Sequence, residues 1–145
     1  MFYGEYLHTI DRKGRLILPS KFRESAKNNF IEKFFVTRGL DGCLFMFSEE
    51  EWHNQEQKFK SLPITKQQAR TFNRIYFSGA VDLVVDKQGR ILLPQFLKDF
   101  AKIKREVMII GVSNRIEIWS KEKWQEFYGS NQPAFEEIAE RLMDI

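Results

Sequence analysis

The sequence carries two nearly identical stretches, IDRKGRLILP at residues 10–19 and VDKQGRILLP at residues 85–94. Each stretch gathers cations around a single glycine and then continues through apolar residues to a proline. A short loop that contains glycine and separates two apolar runs is typical of a β-hairpin, because glycine adopts positive φ at no steric cost. We therefore predict two hairpins with basic tips, the first turn at residues 11–15 and the second turn at residues 86–90.

The sequence similarity between the two copies continues beyond the turns. The later positions align once three residues are taken to be missing from the second copy. The chain thus contains two copies of a unit of about fifty residues, which is too small to close a good core alone. The matched positions are Asp11, Gly14, Arg15, Pro19, Ser48 and Trp52 in the first copy, and Asp86, Gly89, Arg90, Pro94, Ser120 and Trp124 in the second.

Both copies predict the same order of secondary structure. Ser48 and Ser120 are candidate N-caps of helices, and Glu51 completes a capping box with Ser48. A proline suits the first turn of a helix, so a helix follows each of the two basic stretches. We expect strands at 5–10, 16–18, 33–39, 43–47, 81–85, 91–93, 106–111 and 115–119, and helices at 19–30, 48–60, 65–77, 94–103, 120–129 and 132–145.

This pattern predicts an α+β fold, mainly β, with flanking helices. Because neither unit closes a core alone, we expect a pseudo-symmetric β-barrel in which each half completes the other. The predicted divisions are a first half-domain at 5–52, a connecting helical segment at 53–78, a second half-domain at 79–124 and a C-terminal helical tail at 125–145.

Composition sets the broad class. The 145 residues are 43% hydrophobic and 14% aromatic, which is enough apolar area for a folded core. The net charge of +3 and the pI of about 9.0 are compatible with nucleic-acid binding. Cys43 is the single cysteine, which excludes an intramolecular disulfide. With no apolar run long enough to span a membrane and no signal-peptide pattern, we expect a cytoplasmic protein without membrane contact.

The cations of the two turns are the candidate binding residues. A planar guanidinium contacts phosphate or the O6/N7 edge of guanine through two hydrogen bonds, whereas lysine supplies a compact charge for the DNA backbone. We assign Asp11 and Asp86 to shaping the turns, because a carboxylate can accept backbone N–H groups or orient the arginine four residues later. The alternative is that both turns are ordinary solvated hairpin tips with weak surface ion pairs.

Enzyme chemistry finds no support in the sequence. His8 and His53 are the only histidines, and neither has the spacing of a metal site, so we expect no metal and no cofactor. Cys43 lies in an apolar strand, where a thiol is usually inert, although a small hydrolase that uses Cys43 is the remaining enzyme alternative. Trp52 and Trp124 begin helices and are expected to anchor the core or an interface.

Three stretches together resemble one known family. They are MFYGEYLHTIDRKGRLILPSKFRE at residues 1–24, VTRGLDGCLFMFSEEEW at 36–52 and FSGAVDLVVDKQGRILLP at 77–94. In this order they resemble the MraZ family of bacterial transcriptional regulators, and the resemblance covers nearly the whole chain. It includes the signature Asp-x-x-x-Arg twice, from Asp11 to Arg15 and from Asp86 to Arg90.

The resemblance implies two SpoVT/AbrB-like half-domains that form a swapped-hairpin β-barrel. It also implies a ring-shaped homo-oligomer that binds tandem repeats in double-stranded DNA at the nucleoid. Such a ring represses the division and cell-wall gene cluster that includes its own gene, without a small-molecule substrate. Residue by residue, the implied DNA-binding set is Arg12, Lys13, Gly14, Arg15, Lys87 and Arg90, with Asp11, Asp86 and Gly89 shaping the turns.

Two residues depart from expectation, and one rival function stays open. Arg12 replaces a more commonly neutral or acidic residue of the family, and Gln88 stands where the first copy has Lys13, so we expect weaker DNA contact from the second turn. Aromatic residues would supply ring contacts: Phe2, Tyr3, Trp124 and Phe127. The rival is a non-catalytic protein-interaction barrel of the antitoxin type, whose basic turns would bind an acidic protein.

Overall fold

The computed structural model describes residues 1–24 and 31–144. Its strands and helices confirm the α+β, mainly β class. In chain order they are β1 (Phe2–Thr9), β2 (Arg15–Ile17), β3 (Lys33–Arg38), β4 (Leu44–Ser48), α1 (Glu49–Lys60), α2 (Gln67–Ser78), β5 (Val81–Val84), β6 (Arg90–Leu92), α3 (Gln95–Phe100), β7 (Glu106–Ser113), β8 (Arg115–Ser120), α4 (Lys121–Asn131) and α5 (Phe135–Met143). Single 3₁₀ turns span Ser20–Arg23 and Gln132–Ala134.

The two halves exchange strands. Six strands form an antiparallel sheet in the order β1-β7-β8-β4-β3-β5, and β2 pairs with β6 in a separate two-stranded ribbon. β1 from the first half therefore pairs with β7 from the second, and β5 from the second half pairs with β3 from the first. This exchange is the predicted completion of each half by the other.

The predicted hairpins are correspondingly open. Within the first one, β1 and β2 form no ladder with each other among the described residues, because β1 is paired along its length with β7; an isolated bridge joins Ile10, just after β1, to Leu16. The turns are formed as predicted, but each leads from one sheet to the other. A hairpin signal in the sequence therefore located the turn correctly and assigned the wrong strand partners.

The expectation of a closed barrel is also corrected, because the sheet is not closed. Among the described strands, β1 and β5 are at its edges, each with one neighbour. β2 and β6 have three residues each, and their ladder bonds are directed at each other rather than at both sheet edges. Strands this short cover the open side of the sheet, and only the bridge between Ile10 and Leu16 pairs the ribbon with the chain that continues β1 among the described residues.

The ribbon covers the core through alternation of its side chains. Leu16 and Ile91 are buried, whereas Ile17 and Leu92, the next residues, are 50% and 55% exposed. Alternate residues of a strand face opposite sides, so each strand of the ribbon gives one face to the core. The buried cluster joins residues of both halves, among them Leu18, Phe22, Phe34, Val36, Leu93, Leu97, Ile109 and Ile118.

Two helices begin at the serines that the sequence predicts as N-caps. The hydroxyl of Ser48 accepts a hydrogen bond from the backbone N–H of Glu51, and that of Ser120 accepts one from Lys123. In a full capping box the Glu51 carboxylate would also accept the backbone N–H of Ser48. Here it accepts hydrogen bonds from the side-chain amides of Asn54, Gln55 and Asn114 instead. The helix expected at 19–30 is a 3₁₀ turn over Ser20–Arg23, and residues 25–30 lie outside the described residues.

Aromatic stacking attaches the α1–α2 hairpin to the sheet. The Trp52 ring lies parallel to Phe35 at 5.5 Å and is buried, so its prediction as a core anchor is confirmed. Tyr76 stacks on the other side of this group, 5.8 Å from Trp52 and 5.1 Å from Phe72. Offset and edge-on aromatic pairs add to the stabilisation from buried area, which makes this hairpin a rigid attachment.

The aromatic residues expected at a ring interface divide into two groups. Tyr3 is 67% exposed and Phe127 is 38% exposed, as an intersubunit contact requires. Phe2, by contrast, is buried with its ring 5.5 Å from Phe22, so the expectation that it is a surface residue is wrong. Trp124 is half-buried against Trp119 at 5.3 Å.

Shortening a core residue of the ribbon tests whether this ribbon closes the core. We expect Leu16→Ala to lower the free energy of unfolding by about 2–5 kcal/mol, because it leaves a cavity at a site with no exposed surface. Ile17→Ala, one residue further along the same strand, is the matched control and should change it by about 0.5 kcal/mol or less. Urea denaturation of the two variants measures both values, and equal losses would contradict the assignment of faces.

Candidate nucleic-acid interface

One carboxylate organises the first turn. Oδ1 of Asp11 accepts the backbone N–H groups of Lys13 and Arg15, both at 2.9 Å, and Oδ2 accepts Nε of Arg15 at 2.7 Å. The backbone carbonyl of Asp11 also accepts the N–H of Gly14 at 3.0 Å. A single side chain thus fixes the backbone of the turn and the orientation of its arginine.

The second turn repeats this geometry almost bond for bond. Oδ1 of Asp86 accepts the backbone N–H groups of Gln88 and Arg90 at 2.9 Å, and Oδ2 accepts Nε of Arg90 at 2.9 Å. The N–H of Gly89 donates to the Asp86 carbonyl at 3.0 Å. Lys13 and Gln88 hold the same position, two residues after the aspartate, and only their backbone N–H groups take part in these bonds. The side chain can therefore differ between the copies without changing the turn.

Positive φ favours glycine in both turns, and at Gly14 the close approach of backbone adds a second reason. Gly14 and Gly89 have φ of +86° and +78°, in the region that residues with a Cβ rarely adopt. A Cβ on Gly14 would also lie 2.9 Å from the carbonyl oxygen of Leu93, and one on Gly89 would lie 2.6 Å from Cζ of Arg23. Each glycine is therefore packed against a segment of the opposite half.

Backbone hydrogen bonds between the halves fix the two turns relative to each other. The N–H of Leu18 donates to the carbonyl of Gly89, and the N–H of Leu93 donates to the carbonyl of Gly14, both at 2.9 Å. Together with the β2–β6 ladder, these bonds attach each turn to the strand end of the other half. The two basic turns form one rigid unit in place of two independent loops.

A cavity of about 610 Å³ brings the arginines of both turns together. Arg15 and Arg90 line it with Arg12, and the Asp11 carboxylate is part of the same wall. Two cations from the segment before β7, Lys104 and Arg105, complete the basic lining, with Thr9, Ile10 and Ile17 as uncharged neighbours. Five cations and one carboxylate line the cavity, and Asp86 places a second carboxylate beside Arg90, so the surface has a net positive charge.

The remaining site residues predicted from the sequence lie outside this cavity. Lys13 and Lys87 are exposed at the tips of the turns, and Gly14 and Gly89 are buried beneath them. The side chains of Arg15 and Arg90 are 37% and 26% exposed, so each guanidinium is held by its aspartate and still accessible. Lysines at the tips and arginines beside the cavity together extend the basic surface over both turns.

Sequence reasoning missed four cations near the turns. Lys104 and Arg105 belong to the run KIKR at 102–105, whose charge density was an available signal. Arg23 and Lys98 occupy equivalent positions of the repeat, and each covers the turn glycine of the other half: Arg23 lies over Gly89, and Nζ of Lys98 lies 3.4 Å from a Cβ built on Gly14. Their contacts became visible only once the exchange of strands was known.

Two arginines beside the β3–β4 and β7–β8 turns, Arg38 and Arg115, make structural contacts. Nη1 of Arg38 donates to the carbonyl of Ile75 at 2.8 Å and attaches α2 to β3. Arg115 pairs with Glu117 through Nε at 2.9 Å and stacks over the ring of Phe45. Neither arginine lines the basic cavity.

The hydrolase alternative is contradicted at Cys43. The thiol is fully buried, burial raises its pKa, and Sγ donates to the carbonyl oxygen of Leu40 at 3.2 Å. His53 lies on the surface of α1 and contacts Glu56 at 3.2 Å. Among residues 1–24 and 31–144, no group of three His, Cys, Asp or Glu side chains is arranged to hold a metal ion. None of the helices described is long and apolar enough to cross a membrane.

The turn carboxylates make stability depend on pH. The hydrogen bond from the backbone N–H of Arg15 is the main cause of the lowered pKa of Asp11. The hydrogen bond from the backbone N–H of Arg90 likewise lowers the pKa of Asp86. Their stabilising contribution is therefore complete above the unfolded-state pKa of about 3.9 and is lost as the pH falls through the lower folded-state values. We expect the urea midpoint of the parent to fall more between pH 6 and pH 3 than that of D11N/D86N.

The matched control for this measurement is D144N, since the Asp144 carboxylate makes no ion pair with the described residues. It should keep the pH dependence of the parent. A double variant D11N/D86N with the full pH dependence of the parent would show that the two turns contribute nothing to acid sensitivity.

Comparison with known proteins gives the chain's relationships. A family model described as "MraZ protein, putative antitoxin-like" matches residues 1–75 and again residues 76–145, so each match contains one basic turn. The "Transcriptional regulator MraZ" of Thermoanaerobacter sp. (strain X514) is 54% identical over 145 residues, which are 100% of this chain and 99% of the relative.

Two further relatives have the same name. The "Transcriptional regulator MraZ" of Caldanaerobacter subterraneus subsp. tengcongensis is 56% identical over 142 residues, 98% of this chain and 96% of the relative. That of Desulforamulus reducens is 51% identical over 145 residues, 100% of this chain and 99% of the relative. The relatives are named as regulators and not as enzymes. Because the family model and these relatives together span the entire sequence, the chain belongs to the MraZ family.

Proposed function

We propose that this protein is a non-enzymatic transcriptional regulator that binds double-stranded DNA through its two basic turns. The observation that carries the proposal is the cavity in which Arg15 and Arg90, from opposite halves, lie beside three further cations. The names of the relatives support the regulatory role. The half-domains at 5–52 and 79–124 each supply one turn to the shared surface.

The aspartates prepare the arginines for recognition. Each carboxylate holds Nε of its arginine, which leaves the Nη1 and Nη2 amino groups without an ion-pair partner among the described residues. These two groups form the fork that contacts guanine O6 and N7 or two phosphate oxygens. Because the turn orders the side chain before DNA arrives, less rotamer entropy is lost on binding.

The remaining cations supply affinity with little sequence information. Lys87 is exposed at the tip of the second turn, and Arg12, Lys104 and Arg105 line the cavity beside the arginine pair. Contacts of such groups with phosphate position a protein on the duplex, whereas contacts with base edges specify sequence. We assign specificity to Arg15 with Arg90 or Lys13, and phosphate contact to Arg12, Lys87, Lys104 and Arg105.

The finer parts of the proposal follow the family resemblance. We propose a cytoplasmic ring-shaped homo-oligomer, associated with the nucleoid, that binds tandem DNA repeats and represses the division and cell-wall gene cluster including its own gene. A ring that repeats one basic surface multiplies weak contacts along the duplex and so raises avidity. This explains how a chain of net charge +3 can bind DNA tightly.

A second candidate function is suggested by the words "antitoxin-like" in the family description. On this alternative, the basic surface binds an acidic protein, and the chain is a non-catalytic interaction module. It predicts little affinity for any duplex at moderate salt. The two functions therefore differ in a direct DNA-binding measurement.

The decisive experiment compares the duplex upstream of the protein's own gene with a scrambled duplex by fluorescence anisotropy across a salt series. We expect tighter binding of the native duplex, with log affinity falling against log salt by about 0.9 per phosphate neutralised. Equal binding of the two duplexes would contradict sequence-specific regulation, and the absence of binding to both would favour the protein-interaction alternative.

Substitutions at Arg15 test its assignment to base recognition. We expect Arg15→Ala to cost about 1–3 kcal/mol per engaged protomer and to reduce the preference for the native duplex. Arg15→Lys is the matched control, because it keeps the charge and removes the planar fork. Arg15→Lys should retain the dependence of affinity on salt while losing most of the preference for the native duplex. Full retention of this preference by both variants would contradict the assignment of Arg15 to base recognition.

Lys104→Gln tests the assignment to phosphate contact. We expect this substitution to lower the affinity for both duplexes by the same factor. The slope of log affinity against log salt should fall by about one per engaged protomer, because one phosphate contact is lost. The preference for the native duplex should remain that of the parent. A selective loss of native binding would instead place Lys104 at a base edge.

A further inference from the structure

The basic cavity beside the first turn has the volume of a site for a small molecule. Its size of about 610 Å³ falls within the range of roughly 300–1,000 Å³ that is typical of ligand pockets. Contact with DNA does not by itself require such a recess, because Lys13 and Lys87 are exposed at the tips of the turns and lie outside it. The cavity is therefore a candidate site for a compact ligand as well as a surface for DNA.

The charge of the lining defines the charge of that ligand. The cavity is lined by one carboxylate, Asp11, and by five cations, which are Arg12, Arg15, Arg90, Lys104 and Arg105. Together with Asp86, which pairs with Arg90, the lining has three positive charges in excess. A chain of three phosphates carries about three to four negative charges near pH 7, whereas a single terminal phosphate carries about two at most. The charge of the cavity thus matches a chain of phosphates better than one phosphate.

The cavity also supplies the hydrogen-bond donors that phosphate oxygens accept. Arg15 and Arg90 each use Nε to hold an aspartate, which leaves Nη1 and Nη2 without an ion-pair partner among the described residues. Arg12, Lys104 and Arg105 make no ion pair at all with these residues. A guanidinium binds phosphate through two parallel hydrogen bonds, so several consecutive phosphates find donors here.

The segments that supply these cations are fixed to one another by backbone hydrogen bonds. The N–H of Ile10 donates to the carbonyl of Arg105 at 2.8 Å, which attaches the segment before β7 to the start of the first turn. The N–H of Leu93 donates to the carbonyl of Gly14 at 2.9 Å, which attaches the second half to the same turn. Cations that are brought together before the ligand arrives bind it with little loss of entropy.

We propose that the basic cavity binds a small polyphosphate, either a nucleoside triphosphate or inorganic tripolyphosphate, and that this ligand competes with DNA. The phosphate chain occupies the amino groups of Arg15 and Arg90, which are the groups assigned to DNA, so both cannot be bound together. The competition rests on the proposed function, whereas binding of the polyphosphate does not. DNA binding by this protein would then respond to the concentration of the small ligand.

The uncharged part of the lining separates the two sources of the phosphate chain. Thr9, Ile10 and Ile17 form this part, and Ile17 is 50% exposed. An apolar side chain gains from covering the face of a nucleobase but gains nothing from an inorganic phosphate. Tighter binding of ATP than of tripolyphosphate would therefore identify a nucleotide as the ligand, and equal binding would identify the phosphate chain alone.

Isothermal titration calorimetry of the full chain without DNA tests the site directly. ATP, tripolyphosphate and AMP are titrated in EDTA at a constant ionic strength of about 0.15 M, so that Mg²⁺ does not reduce the ligand charge and general screening is equal. We expect both triphosphates to bind with a Kd below about 1 mM, within the range of cellular metabolite concentrations. AMP should bind about tenfold more weakly or worse, because it lacks two of the phosphates.

Two double variants separate the cavity from the tips of the turns. K104Q/R105Q should weaken tripolyphosphate binding by about tenfold or more, because charge-assisted hydrogen bonds are lost. K13Q/K87Q is the matched control, since it removes the same charge from exposed residues outside the cavity and should keep the parent's affinity for tripolyphosphate within about twofold. Urea denaturation checks that both variants are folded.

Fluorescence anisotropy of the complex with DNA tests the competition. Tripolyphosphate should release the duplex with a midpoint that follows its calorimetric Kd, whereas sodium sulfate at equal ionic strength should not. K13Q/K87Q should bind DNA more weakly while it binds tripolyphosphate normally, so a failed DNA interface is distinguished from a failed cavity site.

Three results would overturn the proposal. They are a Kd above about 1 mM for both triphosphates, unchanged tripolyphosphate binding by K104Q/R105Q, and binding of the triphosphates without release of DNA. A parent that binds tripolyphosphate but no duplex would overturn the competition together with the proposed function, and would leave the polyphosphate site standing.

Discussion

The antiparallel pairing of β2 with β6 is the constraint on which the remaining structure depends, since these short strands come from opposite halves of the chain. Leu16 and Ile91 on its inner face complete a core that neither half could close alone. The same pairing draws β1 and β5 away from their hairpin partners and onto strands of the other half. Each half therefore completes the sheet and the core of the other, and the two basic turns are brought together as a consequence.

The atoms that fold each turn are the same atoms for which we propose a role in DNA recognition. The Asp11 carboxylate fixes the backbone with one oxygen and the arginine with the other, so a turn that is correctly folded already presents its guanidinium. The aspartate also limits the charge of the surface, because each turn carries an anion beside its arginine. This arrangement favours contact through oriented hydrogen bonds over contact through charge alone, which is what discrimination between sequences requires.

Much of this was predictable from the sequence, for identifiable reasons. Turns depend on local chemistry, so the Asp, Gly and Arg positions located them, and hydroxyl caps at Ser48 and Ser120 located two helix starts. Strand partners were not predictable, because β1 could pair with β2 nearby in the sequence or with β7 about a hundred residues away. Both are apolar strands, and no local feature of the sequence distinguishes them. Arg23 and Lys98 were missed for the same reason, since each reaches a turn glycine only through the exchange, whereas the charge density of the run at 102–105 was a usable signal for Lys104 and Arg105. Phe2 was misplaced because an N-terminal aromatic gives no local sign of burial.

The repeat is kept where both copies perform the same task and is lost where their surroundings differ. The aspartate, glycine and arginine of each turn have nearly identical bonds, whereas the third position holds Lys13 in one copy and Gln88 in the other, where no turn bond depends on it. The basic cavity is likewise asymmetric, because Arg12, Lys104 and Arg105 gather beside the first turn and only Arg90 joins them from the second. Among the described residues, a symmetric scaffold therefore carries an asymmetric set of cations at this cavity. If DNA binds there as proposed, a single protomer would have a preferred direction along the duplex, and identical protomers that repeat around a ring would all share it.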